Sequence, residues 1–256
     1  MPLDIDRVLS ETFVARAEYL PTVGSTNDYA AECAAREDGE LPLLVVTDCQ
    51  TAGRGRGANR WWAGPGALTF SLLMDPRQIG GERGPTPLAA LAVAVAVVET
   101  VGPRLPDCRV GLHWPNDVMA GGRKLAGILI EALPDRRHIV GIGVNANNTL
   151  VDAPEELRAR VGTLRDLGGC ECDQTAVLVE LLQRLQRAFE RLSGRPEQIA
   201  RQADAMCLQR GSEWVVRQGD VMTRGVCCGI ADDGALRMET HDGERLCYSG
   251  TLSRPV

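Results

Sequence analysis

Thirteen residues in the first quarter of the chain, Gln50-Thr-Ala-Gly-Arg-Gly-Arg-Gly-Ala-Asn-Arg-Trp-Trp62, set the first constraint on its architecture. They stand between two apolar runs, Leu43–Val46 and Ala67–Met74, that read as strands, so a glycine-rich loop spans Thr51 to Gly66. Gly53, Gly55 and Gly57 free the backbone to approach a ligand closely. Arg54, Arg56 and Arg60 gather three cations in a chain whose formal net charge is −6. Guanidinium forks match carboxylate and phosphate oxygens with paired hydrogen bonds. The segment is neither a Walker loop nor a G-x-G-x-x-G turn. A solvated basic loop would share its composition, but cations set among glycines favour anion binding. Trp61 and Trp62 close the loop, where an indole serves either a core or the cover of an adenine or apolar substrate.

Of 28 basic residues, 27 are arginine and one is lysine, Lys124. It follows a second cluster, His113-Trp-Pro-Asn-Asp117, and the tight turn Gly121-Gly122, and it opens a strand running from Lys124 to Ala132. Asn116 and Asp117 suit a turn that bonds its own backbone. Asp117 also suits orienting Lys124 or an incoming nucleophile. A compact ammonium on a rigid strand can serve two oxygens from different groups, where a planar guanidinium imposes its own geometry.

Elsewhere, Thr26 or Asn27 caps a helix through Ala30, Ala31 and Ala34, and Ser25, Thr26 and Asn27 offer hydroxyls and an amide to a neutral polar ligand. Thr86-Pro87 reads as a cap and first-turn proline opening an apolar helix to about Val101. Strand-like pieces near Val110–Trp114 and Val118–Met119 flank the second cluster, and a further strand, His138–Val144, ends at Asn145, either a turn residue or an oxygen contact. Leu178, Leu181, Leu182, Leu185, Phe189 and Leu192 mark one face of a helix over Asp173–Leu192. Beyond about Leu208, short strands with turns at Gln218-Gly219, Asp233-Gly234 and Asp242-Gly243 suggest a small β-barrel-like appendage.

Several classes are disfavoured. The acidic balance argues against dedicated DNA binding. No signal peptide is evident, and the longest uncharged apolar run, Pro87–Val98, is short for a bilayer, so a cytoplasmic protein without membrane contact is expected. Nine cysteines include no CxxC, and the three histidines form no i, i+4 pair, so thiols are expected rather than disulfides, and no metal site. There is no G-x-S-x-G elbow. Cationic segments without a protein nucleophile suit transfer at an α-phosphate, with the substrate as nucleophile.

Together, Ser25-Thr26-Asn27, the Gln50–Trp62 loop, Trp114–Asp117, Arg123–Gly127 with Ile128-Leu129, and Gly141-Ile-Gly-Val-Asn145 resemble the biotin protein ligase family in order and spacing. The resemblance covers residues 20 to 150 and is highly specific in combination. It implies an α+β fold, with a mixed β-sheet catalytic domain flanked by helices over residues 1–207. A small C-terminal SH3-like β-barrel would follow over 208–256. It also implies synthesis of biotinyl-5′-AMP from biotin and ATP with Mg²⁺, and transfer of biotin to a lysine of a biotin carboxyl carrier domain. By that resemblance Ser25, Thr26 and Gln50 hold the biotin ring, while Arg54, Gly55 and Arg56 line its carboxylate and the α-phosphate. Lys124 bridges the same oxygens, Asp117 positions the acceptor lysine, Asn145 lies near the nucleotide phosphates, and Trp61 covers the adenylate. Asn27, Gly53, Asn116 and Gly127 complete the substrate-binding set; Arg56, Lys124 and Asp117 form the catalytic one.

Two departures stand out. Gly57-Ala58-Asn59 replaces a further basic run common in the family, which leaves loop ordering and a homodimer contact open. His113 replaces a common Lys and is expected to be dispensable. Only 24 residues precede Ser25, too few for a winged helix, so the enzyme-only form is expected. A lipoate- or octanoate-attaching enzyme of related fold, and a binding module without turnover, are the alternatives.

Overall fold

The computed structural model describes residues 3–36, 39–75, 77 and 87–255. Seven strands form one mixed sheet: β1 (Arg16–Val23), β2 (Leu43–Gln50), β3 (Leu68–Met74), β4 (Val110–His113), β5 (Asp117–Ala120), β6 (Arg123–Ala132) and β7 (His138–Val144). Their spatial order is β1-β2-β3-β7-β6-β5-β4. Only β1 and β2 pair in parallel; the rest alternate in direction. All seven residues of β3 and all seven of β7 are buried, as befits strands covered on both faces. Strand β1 carries Pro21, which cannot donate to a ladder and is tolerated at the sheet edge.

Helix α1 (Ile5–Glu11) is capped by Asp4, whose side chain accepts from the Arg7 N–H. Helix α2 (Thr26–Ala35) is capped by Ser25, which sits in extended backbone and accepts from the Asp28 N–H. The expected cap at Thr26 or Asn27 is therefore one or two residues too late, since both lie within the first turn of the helix itself. Those two side chains are released for other partners. Helix α3 (Pro87–Val101) buries twelve of its fifteen residues. With the 3₁₀ turn Gly102–Arg104, and with Glu99 and Arg104 counted within it, the span is long and apolar enough to cross a bilayer by length and composition alone. Its burial against α6 (Gln174–Gly194), α7 (Pro196–Ala205) and strands β4 to β6 accounts for that character. The expected cap at Thr86 lies outside the described residues.

Two short helices, α4 (Glu155–Arg158) and α5 (Leu164–Gly168), precede α6 (Gln174–Gly194) and α7 (Pro196–Ala205). The six apolar residues expected on one face of α6 are all buried, and Asp173 caps it. Each such leucine removed from water contributes roughly 1.5–3 kcal/mol.

A second, antiparallel sheet comprises β8 (Glu213–Gln218), β9 (Val221–Ile230), β10 (Leu236–Thr240), β11 (Gly243–Cys247) and β12 (Thr251–Ser253), in the order β11-β10-β9-β8-β12. The turns at Gln218-Gly219, Asp233-Gly234 and Asp242-Gly243 fall between its strands as expected. No ladder joins β11 to β12 among the described residues, so this sheet is open rather than a closed barrel. Its Trp214, Val216, Ile230, Leu236 and Met238 belong to the same buried cluster as the first sheet. Fully buried Trp114 adds a polar tie, its indole N–H donating to the Gly234 carbonyl at 3.0 Å.

Candidate active site

A cavity of about 1110 Å³ opens between the two sheets, beneath the glycine–arginine loop. Every substrate-binding candidate except Gly53 lines it. Its floor is one face of β6 and β7, where Gly127 stands opposite Gly143 and Leu129 opposite Gly141. The glycines are there because side chains lie on them. A Cβ on Gly143 would come within 2.3 Å of the Trp61 ring, and one on Gly141 within 2.2 Å of Asn27 Oδ1. Gly127 is likewise roofed by Trp61 and the Lys124 side chain.

One end of the cavity is neutral and polar. The Thr26 N–H donates to Gln50 Oε1 at 2.7 Å, and the Thr26 hydroxyl lies 3.1 Å from the same oxygen. Ser71, fully buried on β3, bonds both Thr26 Oγ1 (2.7 Å) and Asn27 Oδ1 (2.6 Å). The Asn27 amide donates to Glu131 at 2.6 Å. Ser25, Thr26 and Asn27 are all buried, so a neutral ring with its own hydrogen-bonding groups suits this end.

The other end is cationic. Seven basic residues and a single carboxylate, Asp117, line the cavity of a chain with net charge −6. The loop folds back on itself as a small hairpin: the Trp61 N–H donates to the Gly53 carbonyl, and the Gly55 N–H to Asn59. Gly53 serves this turn rather than the cavity wall, since a Cβ there would meet the Trp61 carbonyl at 2.5 Å.

The two central arginines are treated differently. Arg54 is held by Glu131 through two bonds (2.7 and 2.8 Å) and by Asp28 (2.7 Å), and these carboxylates raise its pKa. Its charge is already met by the protein, although the residue lines the cavity as expected of the substrate-binding set. Arg56 is half-buried and donates only to neutral acceptors, Asn116 Oδ1 at 3.1 Å and the Gly250 carbonyl at 3.4 Å. Burial lowers its pKa, although Asp117 opposes this, and a guanidinium stays charged regardless.

Lys124 forms an ion pair with Asp117 at 2.7 Å, a Coulombic contact rather than a well-directed hydrogen bond. A register shift between β5 and β6 re-aims the strand here, pairing Met119 with Lys124 but Val118 with Ala126. The Gly121-Gly122 turn that makes this hairpin tight takes positive φ at both residues. The Lys124 backbone is fixed further by bonds to Arg160 and Gly162, and its ammonium lies 5.8 Å from the Trp61 ring centroid. Asn116 locks the adjoining turn by donating to the Ile128 carbonyl at 2.7 Å. Asn145 is almost wholly buried, bonded to the Lys124 carbonyl and to Asn148, so it braces the strand that carries the lysine. His113 packs edge-on to Trp214 at 5.3 Å, and burial keeps its pKa low.

Leu157 and residues 159–161, 217–219 and 249–254 also line the cavity, and no sequence motif announces them. They come from distant segments without a motif. Among the described residues Arg56, Arg60, Arg217 and Arg254 form no ion pair; Arg254 stacks on Trp214 at 4.1 Å.

Comparison with known proteins fits this geometry. The model of the biotin/lipoate A/B protein ligase family matches residues 19–147. The chain belongs to this family. Among curated relatives, the bifunctional ligase/repressor BirA of Bacillus subtilis (strain 168) is 31% identical over 242 residues, covering 91% of this chain and 72% of its own length. The biotin–[acetyl-CoA-carboxylase] ligase of Mycobacterium tuberculosis is 32% identical over 220 residues, covering 84% and 80%. In structure, the biotin protein ligase from Aquifex aeolicus in complex with biotin and ATP superposes with a TM-score of 0.83 at 27% identity, over 94% of this chain and 100% of that one. The family match spans the α2 cap, the cationic loop and the Lys124 hairpin.

Proposed function

We propose that this chain is a biotin–protein ligase. It activates biotin with ATP to biotinyl-5′-AMP and passes the biotin to a lysine of the carrier domain of a biotin-dependent carboxylase. The observation that carries this is the two-ended cavity: a closed neutral hydrogen-bonding array faces Arg56 and Lys124 across a glycine floor. In this reading Ser25, Thr26, Asn27 and Gln50 take the ring of biotin. Arg56 and Lys124 take the carboxylate and α-phosphate oxygens, and the charge that builds there is met without a protein nucleophile. Asp117 releases Lys124 to the anion and orients the incoming amine. Trp61 leaves the glycine floor to cover the adenylate, while Gly55 and Asn116 keep the loop within reach of Lys124. Gly53 and Gly127 serve by the room they leave, Asn145 by bracing Lys124, and Arg54 by anchoring the loop.

Magnesium would enter on the triphosphate. Asp117 is the one carboxylate among the described cavity residues, which suits an ion held chiefly by phosphate oxygens and water. The ligase would work in the cytoplasm, with residues 1–207 as the catalytic domain. Residues 208–256 would form an SH3-like domain that closes one wall of the cavity.

The test is mass spectrometry after incubation with ATP and either biotin or lipoate, alongside pyrophosphate release. Biotinyl-adenylate and biotin-dependent pyrophosphate are expected. An adenylate of lipoate alone would overturn the substrate, and biotin bound without pyrophosphate would make the protein a binding module.

A further inference from the structure

Glu131 lies on β6, on the same face as Gly127 and Leu129, and beyond the cavity lining. Its carboxylate makes three short bonds in two directions. Oε2 accepts from the Asn27 amide at 2.6 Å and from Arg54 at 2.7 Å, while Oε1 accepts from Arg54 at 2.8 Å. Burial pushes the Glu131 carboxyl up, yet the Arg54 and Asn27 bonds outweigh it and hold it below the usual range.

The Asn27 bond has consequences across the neutral end. With its amide nitrogen turned to Glu131 and to the Leu129 carbonyl (3.4 Å), Asn27 presents Oδ1 to the Ser71 hydroxyl. Gly141 leaves only backbone beneath that oxygen, which a Cβ there would meet at 2.2 Å. The Ser71 hydroxyl also meets Thr26 Oγ1, and the Thr26 N–H carries the array on to Gln50. The Arg54 bonds act on the other end. They fix the first residue after Gly53, from which the hairpin bearing Arg56 and Trp61 projects.

We propose that Glu131 is a positioning residue. Through Asn27 it sets the hydrogen-bond direction of the ring-binding end, and through Arg54 it anchors the root of the cationic loop. The proposal rests on the ligase reading above. It assigns Arg54 to positioning rather than to contact with the reacting anion, because two carboxylates already hold its guanidinium.

The experiment uses the full chain and two readouts: biotin affinity by calorimetry without ATP, and escape of biotinyl-adenylate, scored by labelling of bystander protein. Glu131→Gln keeps the shape but sets an amide against a guanidinium. It should weaken biotin on the order of tenfold, the scale of one lost bond to a charged group, and raise adenylate escape. Arg54→Gln leaves the Asn27 bond intact. It should raise escape while holding biotin affinity within about threefold, and the double variant should exceed the worse single change in escape by little, since the two share one arm.

If Glu131→Gln is folded and matches the unmodified protein in both readouts, the positioning role is overturned. If Arg54→Gln weakens biotin as much as Glu131→Gln, the two-armed assignment is overturned. Should Glu131→Gln not fold, Arg54→Gln with Asp28→Asn still decides the loop arm: bystander labelling must rise for both, and flat labelling overturns it. Failure of the unmodified protein to bind biotin or release pyrophosphate would instead remove the ligase reading, a result separate from any variant.

Discussion

At the neutral end of the cavity Thr26, Asn27 and Gln50 are held on strands and a helix start, backed by Ser71 and Glu131 from behind the lining, whereas at the cationic end Arg56 reaches from a loop to two neutral acceptors. The first arrangement is satisfied before any ligand arrives, so its shape selects. The second holds unmet positive charge in a partly buried place, where an anion gains most. Lys124 joins the two, since its charge faces the cationic end while its backbone belongs to the rigid sheet.

Replacing Lys124 by Arg should break this division most severely. The guanidinium keeps the charge but is planar and bulkier, so it does not reproduce the compact ammonium held 2.7 Å from Asp117. Adenylation should fall by at least ~10²-fold, the scale for one preorganised donor, and by more than biotin affinity does, because the ring is held at the other end. Near-normal pyrophosphate release would remove the role given to Lys124.

Arg56→Ala should act next most strongly and through the loop. Its bonds to Asn116 and Gly250 tie the loop to both sheets, so formation of the adenylate should slow on the order of tenfold or more and its escape should rise. Bystander labelling unchanged from the unmodified protein would show that the tie is dispensable.

Gly141→Ala tests the rigid end alone. The new methyl would sit 2.2 Å from Asn27 Oδ1, so Asn27 or the strand must shift. Overpacking of this kind costs roughly 1–3 kcal/mol. Chemical denaturation should register that loss, and calorimetry should show biotin weakened with ATP affinity nearly kept. Equal weakening of both ligands would mean that the two ends are not independent.

Much of this division is visible in the residues before any coordinates. The cations and glycines of the loop, the lysine opening a strand after Gly121-Gly122, and the α6 face all follow from local pattern. What local pattern cannot supply is pairing across distance. Arg54 and Arg56 look alike in the chain, and only the approach of Asp28 and Glu131 separates them. Asn145 looks like a turn residue or a ligand contact, and burial behind Lys124 makes it a brace. Ser25 outcompeted Thr26 and Asn27 for the cap because Gln50, Ser71 and Glu131 engage those two from other strands. Strand β1 carries no local strand signal because its edge position leaves a half-exposed, proline-bearing sequence without clear alternation.

The smallest effect expected is at His113, which lines the cavity where the two sheets meet but whose side chain enters no hydrogen bond of the neutral end. Burial against Trp214 lowers its folded pKa below 6.5, so the unfolded chain takes up a proton first as pH falls. By linkage its neutral form is tolerated without cost above about pH 6.5, and stability declines as pH drops through that value toward the lower folded pKa. Between pH 7.5 and 5.5 the melting temperature should therefore fall, and His113→Phe, which keeps a ring against Trp214, should flatten that fall. Biotin affinity in the variant should stay within about twofold, because no bond of the neutral end passes through residue 113. A slope unchanged by the substitution would assign the acid sensitivity to other groups, and a loss of biotin affinity would place the seam between the sheets inside the site itself.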